Sequence, residues 1–306
     1  MVKTLIFQCF HLIKIRKYST ELLKFVPKCS EVSEADVQLL RKFIDDSRKI
    51  LVLTGAGIST ESGIPDYRSE EVGLYARTNH KPIQYQEFLK YSHIRQRYWA
   101  RNFVGWGIFS KRQPNAIHFS IRNLECDLGK VSAVVTQNVD NLHFKAGSQN
   151  VIELHGSAYR VICLKCKSIY NRHYIQEELK KTNLHMCEES TMVRPDGDVD
   201  IPQDAIQGFK PPVCPSCSGI LKPDIIFFGD NVPKERVQEV RNTVTKSDSL
   251  LVLGTSLSVF SSYRIILQAV EEKKNICVVN IGRTRADDII DLKISVRCGD
   301  IVPKVC

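Results

Sequence analysis

Lys49-Ile50-Leu51-Val52-Leu53 is a mostly apolar run, and it leads directly into Thr54-Gly55-Ala56-Gly57-Ile58-Ser59-Thr60-Glu61-Ser62-Gly63-Ile64-Pro65-Asp66-Tyr67-Arg68. The apolar run reads as a buried strand. Closely spaced glycines at its end let backbone N–H groups approach a phosphate, because glycine tolerates torsions and contacts that a Cβ forbids. The expected ligand is a nucleotide. Gly55-Ala56-Gly57, with the next glycine only at Gly63, is neither the dinucleotide fingerprint GxGxxG nor a P-loop, since no GK[ST] follows. A nucleotide here is held in a less usual way.

Working outward, 306 residues at 43% hydrophobic can bury one large core with a smaller satellite, so one principal domain is expected. The net charge of +9 is scattered and carries no basic and aromatic interleaving, which argues against a nucleic-acid partner. Lys3, Lys14, Arg16 and Lys17 precede the first acid, Glu21, in a partly apolar N-terminus. That composition is the signature of a mitochondrial transit peptide, placed at residues 1–28. Gln8 and His11 interrupt the apolar run, and no small-residue site follows, which disfavours a secretory signal. No apolar run approaches the roughly 20 residues that cross a bilayer.

Eleven cysteines in a chain of this kind are read through their spacing. Cys163-Leu-Lys-Cys166 and Cys214-Pro-Ser-Cys217 are two CxxC knuckles, the arrangement that sets four thiolates around a zinc ion. Four cysteines leave no open coordination position, so the ion is structural. The 47 residues between the knuckles exceed what a compact ribbon needs, so an insert is expected there.

Ser33-Glu34-Ala35-Asp36 has the form of a capping box, and Val37, Leu40 and Ile44 then mark one face of a helix running to about Arg48. Further apolar runs at 131–136, 249–254 and 275–281 end in Gln-Asn-Val-Asp, Gly-Thr-Ser and Asn-Ile-Gly. With helical stretches at 234–245 and 262–273 between them, the pattern is β-α-β and the fold class α/β. The sheet is parallel, doubly wound and Rossmann-like, with ligands outside the carboxyl ends of its strands. Two stretches break the alternation, a helix-rich part near 70–113 and the cysteine-bearing part near 159–222. They are expected to form a smaller helical and zinc-binding module beside a Rossmann-like part at about 33–69, 114–158 and 223–306. Residues 183–212, rich in proline, glycine and aspartate, read as a long loop.

These motifs together resemble the sirtuins, NAD-dependent protein-lysine deacylases. The resemblance covers residue 33 to the C-terminus, and its marks are Gly-Ala-Gly-Ile-Ser at 55–59, Gly-Ile-Pro-Asp-Tyr-Arg at 63–68, Gln-Asn-Val-Asp at 137–140, Glu-Leu-His-Gly at 153–156, both CxxC pairs, Gly-Thr-Ser at 254–256 and Asn-Ile-Gly at 280–282. The class II branch fits best. Within it, Arg95-Gln-Arg-Tyr-Trp-Ala-Arg-Asn-Phe-Val-Gly-Trp106 is similar to the mitochondrial type called sirtuin four.

The resemblance implies that NAD is consumed as co-substrate. The acyl-lysine amide oxygen attacks the ribose carbon bearing nicotinamide, a base deprotonates a ribose hydroxyl, and the acyl group moves to ADP-ribose. His155 is then the candidate base, since imidazole accepts protons near neutral pH. By the same resemblance Gly55, Ala56, Gly57, Ser59 and Arg68 cradle phosphates. Tyr67, with Tyr75 nearby, shields the reacting ribose, while Gln137, Asn138, Val139 and Asp140 with Ile64 and Asp66 orient the nicotinamide end, Asn138 and Asp140 with catalytic weight. Gly254, Thr255 and Ser256 form a second phosphate turn, and Asn280, Ile281, Gly282 and Cys298 meet the adenosine.

Tyr98 and Arg101, at i and i+3 of a helix, are similar to the pair that grips carboxylated acyl groups in some sirtuins. A branched or lipoyl-type acyl chain stays open. The implied partners are acylated lysines of mitochondrial matrix proteins, with neither nucleic acid nor membrane involved. Mono-ADP-ribosyl transfer from the same NAD site, and a non-enzymatic NAD-sensing module, are the alternatives.

Overall fold

The computed structural model describes residues 23–78, 82–186 and 194–306. The leader-like residues 1–22, with Cys9, and residues 187–193 of the insert, with Cys187, lie outside these.

The strands among the described residues are, in chain order, β1 (Ile50–Thr54), β2 (Val131–Thr136), β3 (Val151–Glu153), β4 (Gly156–Cys163), β5 (Ile169–Asn171), β6 (Leu221–Ile225), β7 (Ser249–Leu253), β8 (Asn275–Val279) and β9 (Leu292–Ile294). Six of them form a central parallel sheet in the order β3-β2-β1-β7-β8-β9. Every residue of β1 and β7 is buried, as the unbroken apolar runs require of strands covered on both faces. Ile50 and Val52 of β1 meet Val37, Leu40 and Ile44 of the helix Glu34–Asp46, whereas Leu51 and Leu53 meet the helices Lys234–Lys246 and Phe260–Glu271. Each such side chain contributes about 1.5–3 kcal/mol on leaving water. A register shift between Ile50 and Leu51 accommodates one extra residue in β2, the exposed Ser132.

The Ser33 capping box is present: the Ser33 hydroxyl accepts from Asp36 N–H at 3.1 Å, and the Asp36 carboxylate accepts from Ser33 N–H at 3.0 Å. The helix ends at Asp46, two residues before the expected limit, where Ser47 turns extended and its N–H caps Ile44 O.

A second sheet, antiparallel, has the order β5-β4-β6. It shares a separate apolar core with the helix Ser92–Phe109, built around Trp99, Phe103, Phe109 and Phe209. Arg172 is fully buried there, its guanidinium over the Trp106 ring at 4.7 Å and donating to Asn102 Oδ1 at 3.0 Å. The insert is less of a loop than its composition suggests, since Gln203–Gln207 is helical and Arg194 pairs with Asp198 and Asp200. Among the described residues no helix is long and apolar enough to cross a membrane.

The segment just before Cys29, read from the sequence as leader, packs onto the body. Phe25 is buried under the Arg77 guanidinium, 5.1 Å from its ring centre, and Val26, Pro27 and Lys28 line the main cavity.

Candidate functional site

Strand order reverses at β1, whose neighbours β2 and β7 lead the chain in opposite directions, and this is where an open α/β sheet leaves a crevice. A cavity of about 910 Å³ opens there. It is lined by the turns after β1, β2, β3, β7 and β8, and by residues 225–231 after β6.

The glycines let the turns after β1 and β7 touch. Gly55 N–H donates to Leu253 O at 3.1 Å and Gly57 N–H to Gly254 O at 2.9 Å. A Cβ on Gly55 would fall 2.5 Å from Thr255 Cβ, one on Gly57 would fall 2.8 Å from Gly254 O, and Gly254 itself has φ +60°. These contacts explain the spacing that departs from GxGxxG. The glycines join two turns into one floor, and the Gly57 N–H is already used in doing so.

The turn after β2 is held by polar contacts. Ser59 Oγ donates to Asp140 Oδ2 at 2.6 Å and accepts from Asn138 Nδ2 at 3.1 Å, while Asn138 Nδ2 also reaches Gly55 O at 3.0 Å. Asp140 Oδ1 accepts from Leu142 N–H at 3.0 Å. Burial pushes the Asp140 carboxyl above its ordinary value, against the pull of the Ser59 bond. Gln137 Nε2 donates to Thr255 Oγ1 at 3.0 Å. The turns after β1, β2 and β7 therefore form one hydrogen-bonded unit.

His155 leaves β3 with both ring nitrogens engaged. Nδ1 lies 3.1 Å from Gln137 O and Nε2 lies 2.8 Å from Ser261 Oγ. A carbonyl only accepts, so Nδ1 carries the proton and the Nε2 lone pair accepts from the serine hydroxyl. Burial holds the His155 pKa down at about 4, with a contribution in the same direction from Arg236, against the Gln137 bond. The ring is thereby held neutral across the working pH range, with its Nε2 lone pair unprotonated.

The remaining expected residues divide. Ile64, Asp66, Tyr67, Arg68, Val139, Ser256, Asn280, Ile281, Gly282 and Cys298 all border the cavity. Asp66, however, spends one carboxylate oxygen on the Arg68 and Ser69 N–H groups at 2.9 and 2.8 Å, which makes it the cap of its own turn. Tyr75 stands behind Tyr67, ring centres 5.7 Å apart, under the Arg68 guanidinium, and is not among the lining residues. Cys298 is buried, its thiol raised to about 12 by burial. That makes it a poor nucleophile.

Tyr98 and Arg101 line a second cavity of about 600 Å³, which touches the first at Asp196. The Arg101 guanidinium is already engaged within the chain at Nε and Nη2. Its Nε donates to Asp198 Oδ1 at 2.8 Å and Val199 O at 2.7 Å, and its Nη2 pairs with Asp198 at 2.8 Å and Asp200 at 2.9 Å. The expected carboxylate grip is thus filled from within, because the insert brings its own carboxylates. The Tyr98 hydroxyl is buried and has no hydrogen-bond partner among the described residues.

All four cysteine sulfurs lie within 4.8 Å of one another. Cys163 to Cys217 is 3.5 Å and Cys166 to Cys214 is 3.7 Å. Tetrahedral zinc with bonds of about 2.3 Å sets its sulfurs about 3.8 Å apart, so the residues fit the ion. Both knuckles close alike: Lys167 and Ser218 take positive φ and donate their N–H groups to Cys163 O and Cys214 O.

Two buried histidines escaped the sequence reading. His143 Nε2 is 3.0 Å from Thr54 Oγ1, and the His118 ring lies 5.1 Å from it. His118 sits at the third helical position after the cap Asn115. Asn115-Ala-Ile-His118 is a capping box with histidine in place of Glu or Gln, and that was its available signal. Burial lowers His143 to about 4 and His118 well below its ordinary value. Together with His155 they predict a stability that falls with acid. Below the unfolded value near 6.5 the unfolded chain takes up protons that the folded chain refuses. The contribution is full above pH 6.5 and is lost as pH falls toward 4, at about 1.4 kcal/mol for each tenfold loss of proton affinity in each ring. Denaturant unfolding from pH 8 to pH 5 should show a falling midpoint, and a flat profile would contradict the burial of these rings.

Gly156, next to His155, has φ +82°, and a Cβ there would lie 1.9 Å from Asp224 O. Gly156→Ala is expected to cost about 3 kcal/mol from strain and overpacking, and to lower turnover by moving His155. Unfolding midpoint and kcat measured together check this.

The Sir2 family model matches residues 55–261. The chain is 54% identical over 287 residues to NAD-dependent protein deacylase Sirt4 of Drosophila melanogaster, covering 94% of this chain and 92% of that protein. It is 50% identical over 281 residues to the human NAD-dependent protein lipoamidase sirtuin-4, mitochondrial, covering 92% and 89%. A solved Sir2 structure with a deacetylated peptide and 3′-O-acetyl-ADP-ribose superposes with TM-score 0.70 at 28% identity, covering 88% of this chain and 96% of that one. Another, bound to a propionylated peptide, gives TM-score 0.66 at 30% identity with the same coverage. Six parallel strands with a nucleotide-sized crevice at the order reversal, a tautomer-fixed histidine in it and a four-cysteine cluster at the far end of the β4–β6 pair agree with these likenesses, and the chain belongs to the Sir2 family.

Proposed function

We propose that this chain is an NAD-dependent protein-lysine deacylase that moves an acyl group from lysine to ADP-ribose and releases nicotinamide. The observation that carries this reading is His155, which borders the cavity of the two glycine turns with Nδ1–H tied to Gln137 O and Nε2 as its acceptor, held at 2.8 Å from Ser261 Oγ. In this reading NAD supplies the electrophilic ribose carbon, and the chain supplies the rest. The joined glycine turns form the cofactor floor, Asn138 and Asp140 position the nicotinamide end, and His155 takes the ribose proton at Nε2. Tyr67, half-buried at the cavity wall, excludes water from the reacting face. The zinc module fixes β4 and β6 and makes no contact with the chemistry.

The substrates are acylated lysines of mitochondrial matrix proteins, in line with the mitochondrial name of the human relative and the basic, acid-free N-terminus. The acyl group is larger than acetyl, and a long neutral chain suits this site better than a carboxylated one. A carboxylated chain would have to displace Asp198 and Asp200 from Arg101, whereas the apolar stem of a lipoyl-type chain needs no such exchange. The human relative's name, lipoamidase, agrees. Matched peptides carrying acetyl, glutaryl, branched and lipoyl groups test this by kcat/KM. The lipoyl peptide should lead the glutaryl one by about tenfold, a difference of about 1.4 kcal/mol. A leading glutaryl peptide would return Arg101 to its expected role.

A further inference from the structure

The base in this site does not face an open cavity. His155 Nε2 has one in-plane lone pair, and Ser261 Oγ already occupies it at 2.8 Å. Ser261 belongs to the first turn of the helix Phe260–Glu271, half-buried, where the turn after β7 delivers it across the crevice. It borders the same cavity as His155. A substrate hydroxyl must therefore either displace the serine or reach the base through it.

We infer that Ser261 is a catalytic relay residue, which takes the ribose hydroxyl proton at its own oxygen while passing its hydroxyl proton to His155 Nε2. This rests on His155 being the base. Bonds balance in the step. The substrate O–H bond breaks as a new O–H bond forms on Ser261, the original Ser261 O–H bond breaks, and an Nε2–H bond forms. One proton has moved from substrate to imidazole, and the serine is regenerated. The resulting imidazolium is held at Nδ1 by Gln137 O and at Nε2 by the serine oxygen, which now accepts. Arg236 is the charge that acts on this ring, and Arg264 and Asp230 border the same cavity from the elements packed around it. Relay suits a base that stays neutral, because the serine hydroxyl is then always oriented as donor toward Nε2 and acceptor toward substrate.

Ser261→Ala, Ser261→Thr and His155→Ala test this in the full chain with NAD and an acyl-lysine peptide. The relay predicts that Ser261→Ala loses about 10²-fold or more in deacylation, while peptide-dependent nicotinamide release persists and Ser261→Thr recovers most of the turnover. A readout without cofactor accompanies it. In ligand-free protein the ¹⁵N resonance of His155 Nε2 should move toward that of a free acceptor in Ser261→Ala, with Nδ1 unchanged. Wild-type or faster turnover in Ser261→Ala overturns the relay and makes the serine a bystander or a latch. His155→Ala separates the two readings: activity surviving that change removes His155 as base, whereas activity lost there but kept in Ser261→Ala removes only the relay. Zinc content and unfolding midpoint equal to wild type confirm folding of each variant.

Discussion

His155→Ala is expected to lower deacylation by about 10²- to 10⁴-fold while leaving peptide-dependent nicotinamide release largely intact. The two steps divide because attack by the amide oxygen needs the cofactor held in place, and the floor for that is made by Gly55, Gly57 and Gly254, not by the imidazole. Proton removal needs a neutral final acceptor at a fixed atom, which the Gln137-anchored ring supplies. KM for NAD should change little. The pH profile gives a second check. With its pKa held at about 4 by burial, the ring is neutral throughout the neutral range, so the acid limb of kcat/KM in the wild type should lie well below 6.5. An acid limb near 6.5 would mean a solvated base. Brief assays are needed at low pH, since the same buried histidines weaken the fold there.

Removing zinc is expected to be as damaging, through the fold. β4 runs from Gly156, beside the base, to Cys163, and β6 runs from Leu221, near Cys217, to Ile225 at the cavity. Cys163 pairs with Leu221, Gly156 pairs with Ile225, and Ile226 N–H donates to His155 O at 2.9 Å. The ion therefore clamps one end of a ribbon whose other end carries the base and the cavity wall. Structural zinc contributes about 10–16 kcal/mol in small domains, as much as a whole domain's usual stability of about 5–15 kcal/mol. A strong chelator, or Cys214→Ala, should release one zinc per chain, lower the unfolding midpoint by about 10 °C or more, and abolish turnover. Metal-free protein with an unchanged midpoint and full turnover would show that the cysteines hold nothing of consequence.

What the sequence made legible follows from the range over which each feature is encoded. The β1 run, the glycine turns, the Ser33 box and the CxxC knuckles are local patterns, and each lies in the structure at or within two residues of its expected place. Contacts between distant segments were not legible. Ser261 meets His155 across 106 positions, and nothing near Phe260 announces it. Arg101 was read with Tyr98 as sharing one helix face, and both line one cavity, but the carboxylates that Arg101 meets come from the insert about a hundred positions away, which a helix face does not announce. The same limit applies to Phe25, whose burial under Arg77 depends on how the chain folds back. Asp66 shows the other failure: a residue that borders the cavity uses its carboxylate on its own turn, and a motif cannot separate these uses.

The opening glycine run finds its meaning in this tertiary setting. Gly57 spends its N–H on Gly254 O, so the departure from the dinucleotide fingerprint builds a floor from two turns. The central claim is that this floor serves a site that consumes NAD and hands the acyl group to it. The most direct test is a mass balance on purified protein with NAD and a lipoylated or branched acyl-lysine peptide. Nicotinamide, bare-lysine peptide and O-acyl-ADP-ribose in equal amounts are predicted. Nicotinamide released with ADP-ribose added to protein and no bare-lysine peptide, or no nicotinamide release with any acyl peptide, would contradict the account.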